Sequence, residues 1–247
     1  MKNYNNLLSL SLLLLFSIGL IFLSSCKKNE VAPAKDDDFK LGLFDLQTIT
    51  VPDAMAQSSD PHAQQANAQI LALGSFKIYQ AFFLFPVGTE KGNTPITGRR
   101  AGNYTVYKWS DGNGGEIAYQ YRQDGDKIFF EVFFKENGSD YVKFIDGTQT
   151  ISRSAGVMYI YEKGFNSTSL VAVEYTWDYN NGVSTSSMKT TESDVQLEVV
   201  SQADKSGELS LKESGVVRAT WSWNAAGVGS WIDYNADGSV SDQGSWG

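Results

Sequence analysis

From residue 103 to the C-terminus, hydrophobic and polar positions alternate with a period of two. Such alternation marks strands that bury one face and wet the other. It predicts strands over 103–109, 116–123, 127–136, 141–146, 157–163, 170–179, 185–191, 195–201, 208–213, 216–223, 228–234 and 239–246. The connectors carry turn chemistry: Asp111-Gly112-Asn113-Gly114-Gly115, Asp124-Gly125, Asn137-Gly138, Asn181-Gly182 and Asp237-Gly238. Asn-Gly and Asp-Gly between alternating runs are strong hairpin signals, so consecutive strands should be antiparallel neighbours in a meander. Val171, Val173, Tyr175, Trp177 and Tyr179 fall on one side of their strand, with Ala172, Glu174, Thr176 and Asp178 on the other. Strand 216–223 repeats the scheme, setting Val217, Ala219, Trp221 and Trp223 against Arg218, Thr220 and Ser222. Strand 127–136 departs from it. Phe129 and Phe133 interrupt Lys127, Glu131 and Lys135 on what should be the wet side, so something besides water is expected to cover that face.

The section before the strands reads differently. Asp60 is placed to cap a helix whose first residue is Pro61. Ala63, Ala66, Ile70 and Leu73 then form a helical stripe, and Gly74 is a natural stop. His62 is read as solvent-exposed. The run Phe76 to Phe85 suits a helix somewhat better than a strand, which gives a helical section over about 52–86. Its Phe82-Phe83-Leu84-Phe85 cluster is too short to span a bilayer and reads as core.

A flat open sheet of ten or more strands is unusual, because twist makes wide sheets curl or close. The predicted fold is therefore mainly β: a long antiparallel meander over about 103–247 forming a curved sheet or open barrel. The helical section should pack on its concave side. In architecture this resembles lipoprotein carriers and acceptors of the Lol type, although the helical insertion they carry midway through their strands is absent.

The N-terminus gives the clearest address. Met1-Lys2 is followed by an apolar run from Leu7 to Leu23 and then by Leu23-Ser24-Ser25-Cys26. A basic start, an apolar stretch and small residues make a secretory signal. The four residues ending at Cys26 resemble the lipobox of bacterial lipoproteins. That resemblance implies cleavage of residues 1–25 and a diacylglycerol on the Cys26 thiol, which would tie the chain to a membrane. Residues 26–39 then form a polar tether. Its Asp36-Asp37-Asp38 cluster resembles the surface-export signal of Bacteroidetes-type lipoproteins, implying an outer-membrane location at the cell surface, with the periplasmic face as the alternative. Residues 40–247 are read as one mainly β domain.

Composition narrows the chemistry. The single Cys and the single His exclude a disulfide framework, a Cys-based zinc site and two-His metal sites. Removing Lys2 with the leader leaves 19 basic against 28 acidic groups, which disfavours nucleic acid as a partner. No phosphate-cradling or dinucleotide glycine loop is present, and no nucleophile motif surrounds a Ser or Asp. No cofactor, metal ligand or catalytic residue is assigned. Asp233-Tyr234-Asn235-Ala236-Asp237-Gly238 matches the first half of an EF-hand loop, but Gly244 stands where the closing Glu should be, so a hairpin turn is favoured. Glu174 and Asp178 lie roughly 13 Å apart along one strand, too far for glycosidase work, which needs about 5–9.5 Å. A cross-strand pair such as Glu131 with Glu174 stays open as the minority, enzymatic reading.

Trp109, Trp177, Trp221, Trp223, Trp231 and Trp246 are read as core first, and otherwise as a surface for sugar rings or an apolar cavity. The functional expectation is a lipid-anchored, non-catalytic protein that binds an apolar molecule or a glycan on its curved sheet. The alternative is a structural or assembly component that docks on another envelope protein without a small ligand.

Overall fold

The computed structural model describes residues 46, 48–77, 89–96, 103–165 and 171–247. The leader, Cys26, the acidic tether and positions 78–85 of the ambiguous aromatic run lie outside the described residues.

The meander forms as the alternation dictates. Strands β1 (Glu90–Gly92), β2 (Thr105–Ser110), β3 (Glu116–Asp124), β4 (Lys127–Lys135), β5 (Val142–Thr150), β6 (Ala155–Phe165) and β7 (Val171–Asn180) are followed by β8 (Val183–Thr190), β9 (Val195–Ser201), β10 (Gly207–Glu213), β11 (Val216–Trp223), β12 (Gly229–Tyr234) and β13 (Val240–Trp246). All lie in one sheet in sequence order, each antiparallel to the next, and β1 and β13 are its two edges. The sheet does not close. β1 is the strand that alternation missed: Glu90-Lys91-Gly92 is short, fully exposed and without an apolar face.

Helix α1 (Asp53–Ala56) and helix α2 (Pro61–Gly74) precede the sheet. Asp60 caps α2, its carboxylate accepting from the backbone N–H groups of His62 at 2.8 Å and Ala63 at 3.2 Å. Ala63, Ala66, Ile70 and Leu73 are all buried, so the small-residue stripe does meet the sheet. Ser75 to Lys77 tighten into a 3-10 turn beyond Gly74.

The direction of α2 follows from its two ends. At the start the His62 ring lies flat on Trp231 of β12, centroids 3.6 Å apart. Just past its end Phe76 stacks on Tyr175 of β7 at 5.0 Å. Fourteen helical steps cover about 21 Å, and the five strand spacings from β12 to β7 cover about 24 Å. The helix therefore runs across the strands. His62 is a correction to the expectation of a solvated histidine: Trp231 offers a flat apolar ring at the first turn, and the imidazole is half-buried on it.

Inward side chains from β2 to β13 join Leu46, Met55 and the α2 stripe in a single core. Twelve spacings would span about 58 Å if laid flat, far beyond the reach of one short helix. A continuous core across that width requires the sheet to curl around its helical section.

Four cross-strand Trp–Gly pairs help it do so. Trp177 faces Gly156, Trp223 faces Gly207, Trp246 faces Gly229 and Trp231 faces Gly244. In each pair the indole occupies the space where a Cβ would stand. This explains the repeat Gly229-Ser230-Trp231 and Gly244-Ser245-Trp246: each copy's Trp covers the other copy's Gly. The indole N–H groups of Trp177, Trp223 and Trp246 also donate to turn carbonyls, of Arg153 at 3.1 Å, Lys205 at 2.7 Å and Gly227 at 2.9 Å.

Candidate functional site

With the inner face filled by core, the polar side chains of the described strands gather on the outer face. Two regions of that face differ sharply.

On β3 and β4 the middle of the outer face is buried, and beside it β5 and β6 carry a half-buried polar cluster. Ala118 and Phe133 are fully buried there, as strand 127–136 led us to expect, and Phe129 lies under the Arg122 guanidinium at 4.1 Å. Gln120 is 1% exposed and accepts the Ile96 backbone N–H at 2.8 Å, so Ile96 lies over this part of the sheet. Gln120 in turn donates to Glu131 at 2.6 Å. Lys143 sits between Glu131 and Asp146, ion-paired to both, with Asp146 at 3.0 Å. Tyr161 donates its hydroxyl to Asp146 at 3.1 Å. Register accounts for the cluster. Gln120, Glu131 and Asp146 are direct cross-strand neighbours, and a bulge in β5 turns Lys143 onto the same face. The three charged side chains are only 15–23% exposed.

Burial works against the Lys143 ammonium, but its bond to Glu131 and the Asp146 and Glu131 charges outweigh that and raise its pKa above the usual lysine value. Burial, and then the Asp146 charge, hold Tyr161 well above the usual tyrosine value. Two carboxylates clamped on one ammonium make a lock between strands, because Lys143 of β5 holds Glu131 of β4 together with Asp146 of β5 in one charge-assisted cluster.

On β7 to β12 the outer face is open. Three depressions of about 570, 300 and 470 Å³ lie along it and share walls. Glu198 belongs to two of them, and Val200, Glu208, Ser222 and Ser230 are common to the smallest and the largest. Register again sets the lining. Thr176, Ser187, Glu198, Ser210, Thr220 and Ile232 form one row across six strands. Asp178, Thr185, Val200, Glu208, Ser222 and Ser230 form another row beside it. The polar contacts here are pairwise: Lys212 to Glu198 at 3.3 Å and Gln196 to Ser187 at 3.2 Å, both part-buried, and the exposed pair Ser222 with Ser230 at 2.9 Å. Charge is uneven as well. Residues 171–247 carry four basic and eleven acidic side chains, against seven and nine over 103–165.

The structure does not bring Glu131 and Glu174 together. They share a row, but Asp146 and Tyr159 stand between them, a separation of three strand spacings or about 14 Å. Glu174 faces Lys189 instead. All six tryptophans are largely buried, and Trp221, Trp223 and Trp231 reach the depressions only as parts of their floors and walls. The EF-hand-like stretch is a hairpin turn, closed by the Asn235 N–H donating to the Ser239 carbonyl at 2.8 Å. The Asp237 carboxylate accepts from the hydroxyl and N–H of Ser239, and these bonds depress its pKa. Among the described residues no group of three or more His, Cys, Asp or Glu side chains is arranged to hold a metal ion. The Lys143 lock and the hydroxyl rows were not picked out from sequence. The lock depends on a bulge that no local pattern announces, and the rows resemble any wet strand face until the register is known. In comparisons with known proteins, no family model matches the chain and no curated protein does.

Proposed function

We propose that the chain is a lipid-anchored envelope lipoprotein that binds a hydrophilic glycan, without catalysis, in the polar trough on the outer face of β7 to β12. The observation that carries this reading is the trough itself, a joined set of depressions whose walls mix hydroxyl, amide and carboxylate groups with apolar surface from Val200, Ile232 and the tryptophans beneath. Their volumes fall within the range of small-molecule sites. An apolar ligand is the weaker choice. The inner face, where one would lodge, is occupied by Trp221, Tyr175, Tyr119 and Phe130, all at or below 1% exposure. Hydroxyl rows suit sugar hydroxyls, and Val200 and Ile232 add small apolar patches for ring faces. The acidic lining favours neutral sugars over acidic ones. The non-catalytic part rests on the separation of Glu131 from Glu174 and on the Lys143 lock. Acylation of Cys26 would hold this face outward on the tether of residues 26–39.

Calorimetric titration of the full chain with neutral oligosaccharides tests the binding. Glu208→Ala and Ser222→Ala are expected to weaken it about tenfold each while leaving thermal stability unchanged. Absence of binding by any neutral oligosaccharide contradicts the proposal. The anchor is tested separately by metabolic labelling with palmitate, expected on the native chain and lost in Cys26→Ser.

A further inference from the structure

We infer that the free edge of β13 accepts an extended, basic segment of a partner protein as a fourteenth strand. An edge strand presents unpaired backbone groups and is a template for another chain unless it is short, bulged, covered or guarded by Lys or Pro. The opposite edge, β1, is guarded by its three-residue length. β13 is longer: it runs seven residues and is exposed along most of them, with Val240 at 51%, and its one bulge, at Ser241 next to the turn, leaves Asp242 to Trp246 in regular register. Among the described residues no strand pairs with its outer side. No Lys, Arg or Pro occurs anywhere in residues 219–247.

The turn bond from Asn235 to Ser239 sets which backbone groups point outward. Counting from it through the bulge near Asp233, the N–H groups of Gln243 and Ser245 face away from β12. The Gln243 N–H is held by the neighbouring Asp242 carboxylate at 2.9 Å, which is a local bond that an incoming carbonyl can replace.

Charge selects the occupant. Asp242 stands directly opposite Asp233 on the same face, an unfavourable like-charge pair, and Asp237 lies in the turn between their strands. Another copy of β13 would bring more carboxylate to this edge. A strand carrying Lys or Arg beside Asp242 would relieve the pair, while backbone pairing supplies affinity that does not depend on the rest of its sequence.

The test is amide NMR of the full chain with two synthetic octapeptides, one alternating Lys and Val, the other alternating Glu and Val. The Lys-Val peptide is expected to shift and protect the Gln243 and Ser245 amides, with affinity falling as salt rises. Asp242→Asn should weaken it several-fold. Gln243→Pro should abolish it, because that substitution removes an outward donor which the β12 pairing does not use. Equal binding of the Glu-Val peptide overturns the inference. So does binding that survives Gln243→Pro, or concentration-dependent protection of the Ser245 amide without peptide, which would show that another copy of the chain claims the edge.

Discussion

The outer faces of β3–β6 and β7–β12 belong to one sheet, with the same hairpins and the same inward packing, yet they do opposite things. The β3–β6 face is partly covered: Phe133 is buried, Phe129 lies under Arg122, Gln120 is capped by Ile96, and a three-charge cluster is largely withdrawn from water. The β7–β12 face opens into shallow depressions, carries half-buried hydroxyls and pairwise ion pairs, and holds most of the acidic excess. Polar side chains therefore have different meanings in the two regions. Those of the covered face hold strands together, where removing one partner leaves a buried charge unpaired. Those of the open face make fewer and more solvated cross-strand contacts, such as Lys212 with Glu198, and leave hydroxyls that can meet a ligand.

Stability measurements sharpen this contrast. Phe133→Ala should destabilise by about 4 kcal/mol, because it empties a fully buried site on the covered face. Thr220→Ala, on the open face, should change stability by less than about 0.5 kcal/mol. Urea denaturation distinguishes these readily. Lys143→Ala comes next, at about 3 kcal/mol, since Glu131 and Asp146 would then face each other with little water. Lys212→Ala breaks an ion pair on the open face and should cost under about 0.5 kcal/mol. Equal losses for the two lysines would erase the distinction between the regions.

The pH dependence of the covered region has a definite sign. The Lys143 pKa is raised in the fold, so its contribution is complete below the usual lysine value of 10.5 and disappears as pH rises through the folded value. Stability measured from about pH 8 to 11.5 should fall more steeply in the native chain than in Lys143→Ala. The smallest effect belongs to Asp233. Burial raises its pKa, and Asp242 adds to that, while His62 opposes them. A carboxyl with a raised folded pKa favours the fold when protonated, so this contribution is present below pH 3.8 and lost as pH rises through the folded value. Asp233→Asn should therefore raise the melting temperature slightly at about pH 7 and leave it unchanged at about pH 3.

Much of the sheet was legible in the sequence because each strand reports its own inward face. Val173, Tyr175 and Trp177 mark β7, and Asn181-Gly182 fixes the turn after it, with both residues at positive φ. The opening turn of α2 was legible at Asp60 and Pro61 for the same local reason. Short β1 escaped because three exposed residues carry no period. His62 escaped because its partner, Trp231, lies far along the chain. The outer-face regions escaped for a related reason. Which wet residues become neighbours depends on register across six strands, and on the bulges in the β4–β7 ladder that shift it. The one outer-face signal that local sequence carried was the pair Phe129 and Phe133, and it pointed correctly to the covered region.

The division of the outer face is tested most directly by mapping amide shifts of the full chain during titration with a neutral six-unit oligosaccharide. The account predicts shifts confined to outward positions of β7–β12, including Glu198, Glu208, Thr220 and Ser222, with β3–β5 silent. Shifts centred instead on Gln120, Glu131 and Lys143, or on core positions such as Tyr175 and Trp221, would contradict it.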